Sequence, residues 1–187
     1  ADETIAIGFG ALQALTSGSG NVAIGFQSLD ANQTSDYNTA VGYQAGTNLT
    51  STTSESGNTL IGYQAGLTAS SGMNYSVALG WKSLYTNNNS ANTAIGWKAG
   101  EDLTGQHNTF VGTIAGKDAA DVDQCVIIGS QAGIAAMGSG ADGTIAVGYG
   151  SLAAITSGVN IAIGVEAGAL LTTGTLNTII GHQAFDA

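Results

Sequence analysis

Asp118, Asp121 and Asp123 fall within one six-residue stretch and are the densest set of hard oxygen ligands in the chain. Carboxylate oxygens hold Ca²⁺, which makes this loop a candidate metal site. The chain lacks the glycine-aspartate nonapeptides of calcium-binding β-rolls, and a solvated acidic loop is the competing reading. His107 and His182 stand far apart and Cys125 is the lone cysteine. No base–nucleophile pair is implied, so we expect no catalytic residue, no cofactor and no enzyme. A second candidate is aromatic. Phe9, Phe26, Tyr43, Tyr63, Trp81, Trp97 and Tyr149 each directly follow a glycine. Two uses are open to such a row: a structural ladder covering one corner of the fold, or a strip that binds sugars or a partner. Gln27, Gln44, Gln64, Gln131 and Gln183 take the next position, with Lys82 and Lys98 replacing Gln in two cases. They read as an exposed hydrogen-bonding row.

Residues that recur in rows need a repeating scaffold, and the sequence supplies one. N-T-A-I-G-W-K-A-G at 92–100 has relatives from end to end. The anchoring glycines are Gly8, Gly25, Gly42, Gly62, Gly80, Gly96, Gly112, Gly129, Gly148, Gly164 and Gly181, spaced by 16 to 20 residues. An Ile, Val or Leu always precedes the glycine, and only Ala or Ser stands three residues after it. Asn stands four before it in Asn21, Asn38, Asn58, Asn92, Asn108, Asn160 and Asn177. Strict register with a short period marks a solenoid whose units stack only on their neighbours. The expected fold is all-β: one β-solenoid domain over 1–187, of eleven coils of about 17 residues, without recognisable caps.

Within a coil such as N-V-A-I-G at 21–25, Val22 and Ile24 share one face and Ala23 the other. The larger pair is expected to form the interior. The small second face would let another layer approach, either a subunit or a return strand of the same coil. The glycine should end the strand with a positive φ, and the Ala or Ser three later should be buried in a corner. The following position holds Leu12, Leu29, Leu84 and Leu152, but Gly46, Gly66, Gly100, Gly116, Gly133 and Gly168. Leu there would fill a pocket left open where Gly stands. Leu15, Leu49, Leu103, Ile155 and Leu171 suggest a short return strand. The Asn row should form a ladder of side-chain amides. The longest polar turns lie at 47–57 and around 135–143.

Composition agrees and narrows the partners. There are 29 glycines, no proline, no arginine and three lysines, and the net charge is −10. Charged residues make up 9%, against roughly 25% in ordinary globular chains. Such a chain offers no basic footprint for nucleic acid. No apolar run is long enough to span a membrane as a helix.

N-T-A-I-G-x-x-A-G and N-V-A-I-G-x-x-S-L resemble the head repeats of YadA-type trimeric autotransporter adhesins and the repeats of bacterial and phage tail-fibre-domain proteins. The likeness covers residues 4–185. It implies a left-handed parallel β-roll, trimeric assembly and surface attachment. Two expectations follow. The first is a non-enzymatic, extracellular structural protein that assembles with itself end to end into a filament. The second is an adhesive or receptor-binding head of a trimeric adhesin or tail fibre, at the cell surface or on a virion, meeting surface glycans or matrix.

Overall fold

The computed structural model describes residues 2–50, 56–68 and 72–185; residues 51–55 of the long turn at 47–57 lie outside them. Eleven short strands form a single parallel sheet in chain order. They are β1 (Ile5–Ile7), β2 (Val22–Ile24), β3 (Thr39–Val41), β4 (Thr59–Ile61), β5 (Val77–Leu79), β6 (Thr93–Ile95), β7 (Thr109–Val111), β8 (Val126–Ile128), β9 (Ile145–Val147), β10 (Asn160–Ile163) and β11 (Asn177–Ile180). One 3-10 turn, Ser139–Ala141, sits in the connection before β9. The register never slips: Ile5 pairs with Val22, Val22 with Thr39, and so on to Ile161 with Thr178. The chain is an all-β solenoid.

The glycine that closes each strand before the last is required twice over. Gly96 has φ +139°, and a Cβ there would lie 2.3 Å from the carbonyl oxygen of Gly112 in the next coil. Only glycine combines that backbone with so close an approach. Three residues later, Ser28, Ala45, Ala65, Ser83, Ala99, Ala115, Ala132, Ser151 and Ala167 are fully buried, as the spacing predicts.

The interior is the reverse of the one expected. The middle residue of each strand points inward: Ala23, Ala40, Leu60, Ala78, Ala94, Phe110, Ile127, Ala146 and Ala162 are fully buried. Val22 and Ile24, and their equivalents, face outward and stay half-buried or exposed. The physical reason is width, because the middle residue and the position four after the glycine share one narrow space, which a small residue at one place and a large one at the other can fill. In every coil before the last, where the middle residue is large the position four after the glycine is Gly: Leu60 with Gly66, Phe110 with Gly116, Ile127 with Gly133; the last coil has Ile179 with Phe185, which is exposed. Where that position is Leu, the middle residue is Ala, as in Ala23 with Leu29 and Ala78 with Leu84. Three coils have small residues at both places, and their neighbours fill them. A Cβ on Gly46 would meet Leu60 and Leu29, and one on Gly100 would meet Phe110 and Leu84. Gly168 is likewise hemmed in by Ile179 and Leu152. So Gly leaves no open pocket at these corners.

No return strand exists among the described residues. The expected segment is a run of turns, still joined coil to coil by backbone bonds such as Leu12 N–H to the Ser28 carbonyl and Ala14 N–H to the Asp30 carbonyl, both 3.0 Å. Its apolar residues do face the core, with Leu49, Leu103 and Ile155 fully buried. The asparagine ladder is present. Asn38 Nδ2 donates to Asn21 Oδ1 at 3.2 Å, Asn58 to Asn38 at 3.0 Å, Asn108 to Asn92 at 3.1 Å and Asn177 to Asn160 at 2.9 Å. Each Oδ1 also accepts the backbone N–H of the next rung, as in Asn38 N to Asn21 Oδ1 at 2.9 Å. These buried amides thus satisfy one another, which removes the cost of desolvating them.

Candidate functional site

The residue after each glycine projects from the corner where the strand ends, and the fixed register places it over its counterpart in the next coil. Phe9, Phe26, Tyr43, Tyr63, Trp81 and Trp97 therefore stack, with ring centroids 5.1–5.7 Å apart and planes within 17° of parallel. Stacking turns ring faces toward each other and leaves edges to solvent. Trp81 is 37% exposed and Trp97 47%. Tyr149 does not join the ladder. Two coils lie between it and Trp97, with Thr113 and Ser130 at the ladder position, and the Tyr149 hydroxyl donates to Gln131 Oε1 at 3.5 Å.

The neighbouring row is held in the left-handed region: φ is +51° at Gln27, +53° at Gln44, +54° at Gln64 and +52° at Lys82. This turns the side chains alongside the rings. Gln44 Nε2 donates to Gln27 Oε1 at 3.0 Å and Gln64 Nε2 to Gln44 Oε1 at 2.9 Å, so the expected polar row is a ladder too. Lys82 lies 4.9 Å from the Trp81 ring and 4.7 Å from Tyr85. Lys98 lies 5.3 Å from both Trp81 and Trp97, and pairs with Glu101 at 3.0 Å. Lys117 stands 4.0 Å from Glu101 and pairs with Asp118, a contact that holds its pKa above the usual lysine range. Burial, with Glu101 adjacent, raises the Asp102 carboxyl. Each of the three lysines thus lies against a ring or a carboxylate.

The acidic candidate does not assemble. Asp118 faces Lys117, and Asp123 Oδ1 accepts the Gln106 N–H at 2.8 Å. Asp123 in turn donates its own N–H to Asp142 Oδ1 at 2.9 Å. Asp36 caps the Ser19 N–H in the same way at 2.6 Å. These aspartates stand at one point of the coil and close backbone donors across it, a role the sequence reading missed. Among the described residues no three of His, Cys, Asp and Glu converge as metal ligands. Asp118, Asp121 and Asp123 are adjacent in sequence without forming a cage.

Cys125 replaces Asn in the amide ladder. Its N–H donates to Asn108 Oδ1 at 2.9 Å, and its thiol is buried against the carbonyls of Ala141 and Asp123 at 3.3 and 3.5 Å. Burial pushes its pKa up to about 11, against the weaker opposing effect of hydrogen bonds with the Thr144 and Gly143 backbone. That is the reverse of an activated thiolate. His107 and His182 are exposed on separate coils. A shallow groove at the last two coils is lined by Val159, Ile161 and Leu176 beside Asn160, Asn177 and Thr178. The stacked rings, the glutamine row and the outward sheet face are the features able to meet a partner. Compared with known proteins, the chain matches no protein-family model, no curated protein and no solved structure.

Proposed function

We propose that this chain is a non-enzymatic structural protein, a subunit of an extracellular filament built by end-to-end stacking of solenoids. One observation carries the reading: the hydrogen-bond register between coils is directional and the same at every step. The closing glycine donates to the coil before it, from Gly25 N to the Ile7 carbonyl at 2.7 Å through to Gly181 N to the Ile163 carbonyl at 2.9 Å. The residue two after it repeats the pattern, from Gln27 N to the Phe9 carbonyl to Gln183 N to the Val165 carbonyl, each 2.8 Å. Among the described residues β1 and β11 pair on one side only. The first coil therefore offers donors at Gly8 and Gly10, and the last offers acceptors at Ile180, His182 and Asn177 Oδ1. The two ends are complementary, and unpaired strand edges are templates for more pairing. Contact of this head-to-tail kind is heterologous, and it propagates as an open filament unless it closes into a ring.

A second reading, the adhesive head of a trimeric surface or tail fibre, rests on a different observation. The outward sheet face carries Ile, Val, Leu and Thr with no charged residue. Ile7, Leu79, Ile128, Ile163 and Ile180 are exposed on it. A parallel sheet is normally covered on both faces, and a continuous apolar strip of this kind marks an interaction surface. The resemblance to adhesin heads supports side-by-side association there. Negative-stain images of purified protein over a concentration series separate the two. Filaments that lengthen with concentration support stacking, and discrete side-by-side trimers at every concentration replace it with the second reading. Monodisperse single solenoids overturn both.

A further inference from the structure

The aromatic ladder is interrupted, and the interruption has the features of a binding site. From Phe9 to Trp97 each ring face is used by the next ring, so the ladder offers a ligand only edges. Phe9 and Trp97 are the exceptions: they end the row, and each keeps one face with no ring beyond it; at Trp97 the next coil places Thr113, not a ring, at the ladder position. Ser130 follows, and the row resumes with Tyr149. Three coil steps separate the two rings, about 15 Å at ordinary strand spacing. The floor between them is two small hydroxyl side chains, Thr113 exposed and Ser130 half-buried, with no hydrogen-bond partner among the described residues. Gln131 and the Tyr149 hydroxyl close the far side with amide and phenol groups.

We propose that this gap is a glycan subsite, in which a neutral hexopyranose ring stacks on the free face of Trp97. The C–H face of a pyranose is apolar and flat enough to sit on an indole, while its ring of hydroxyls needs several donors and acceptors around the edge. The gap supplies both. A nucleobase would also stack, but a chain of net charge −10 repels its phosphates. The same charge disfavours uronic or sialic sugars. Lys98 does not offset this, because Glu101 neutralises it at 3.0 Å. The site goes beyond the filament reading and is independent of it, since the ladder corner lies to the side of the stacking ends.

The test uses the two tryptophans. Trp81→Phe keeps a ring in the ladder and leaves Trp97 as the sole indole. Cellohexaose, maltohexaose and mannohexaose are titrated against this variant while Trp97 emission is followed. At least one should shift or quench it saturably. Thr113→Tyr with Ser130→Tyr, in the same background, continues the ladder through the gap and should weaken that response at least about tenfold. Ser130→Tyr alone half-closes the gap and serves if the double variant does not fold. No response to any of the three sugars overturns the proposal. So does an undiminished response in the gap-filled variants, which places the sugar elsewhere.

Discussion

The pairing of large and small residues inside the coil makes a quantitative prediction at Gly116. Its φ is +55°, and an added Cβ would lie 2.6, 2.8 and 3.0 Å from three ring carbons of Phe110. Gly66 is the matched control. Its φ is +60°, but the facing residue is Leu60, and a Cβ would lie 3.1 and 3.2 Å from the two leucine methyls. Both changes to Ala force an L-residue into the left-handed region, at roughly 1–2 kcal/mol. Only Gly116→Ala also drives into a rigid ring walled by its neighbours, which adds about 1–3 kcal/mol of overpacking. Gly66→Ala meets flexible methyl ends, which can give by a few tenths of an ångström. Gly116→Ala should therefore cost about 1–3 kcal/mol more than Gly66→Ala. Phe110→Leu, harmful alone through lost ring contacts, should be partly restorative with Gly116→Ala, because it recreates the Leu60 coil. The coupling between the two should fall in the usual range for touching residues, about 0.5–3 kcal/mol. Urea unfolding followed by far-UV circular dichroism gives the midpoints, compared at constant slope. Equal losses for the two glycine variants, or additive losses in the Phe110 and Gly116 double variant, would refute the size-pairing argument.

Other consequences can be read in the same way. Ala99 is fully buried at the corner, so Ala99→Leu should lower stability by about 1–3 kcal/mol; an unchanged melting temperature would count against the corner. Asn38→Ala removes the acceptor for both the backbone N–H and the Nδ2 of Asn58, at 3.1 and 3.0 Å. Leaving two buried donors unpaired should cost on the order of 2–3 kcal/mol, and hydrogen exchange at Asn58 should rise. Cys125 titrates at about 11 when folded, above the 9.0 of a free thiol. The neutral form is the one the fold prefers, so its contribution is fully present below pH 9 and is lost as the pH climbs toward 11. Denaturation midpoints should therefore fall less steeply across that window in Cys125→Ala than in the parent chain. EDTA should leave the melting temperature unchanged, and a marked drop would put an ion among Asp118, Asp121 and Asp123.

The glycines made the scaffold legible. A residue that must combine positive φ with a carbonyl of the next coil at 2.3–2.8 Å from any Cβ cannot vary, so Gly8 to Gly164 count the coils directly, and Gly181 adds the last by its positive φ. The Ala or Ser three residues later and the Asn four before are legible for the same reason, since each meets its own copy across a strand spacing. What does not recur at fixed spacing was harder to see. The aspartate caps at Asp36, Asp123 and Asp142 stand six before their glycines, in only three coils. Asp2 holds the place in the first coil, and elsewhere Ser19, Ser56, Asn74, Ser90, Gln106, Gly158 and Thr175 take it. Proximity in sequence instead grouped Asp118 and Asp121 with Asp123, although a solenoid brings together residues one coil apart rather than neighbours along a turn.

The inverted interior has a more general cause. A period of two says which residues share a face, and nothing about which face is inside. With Val and Ile on one face and Ala on the other, size argued for the wrong side. The deciding signal was a compensation in volume between the middle strand residue and the position four after the glycine. Ala stands with Leu in the coils of Ala23, Ala78 and Ala146, and Leu, Phe or Ile stands with Gly in those of Leu60, Phe110 and Ile127. Two positions that trade volume must share one enclosed space at close-packed density. The residues flanking the middle position show no such trade. They are β-branched at every described strand except for Leu79, whatever their neighbours hold. Constancy of that kind suits an outward surface that repeats unchanged along the solenoid, and it is the surface on which side-by-side association would have to be built.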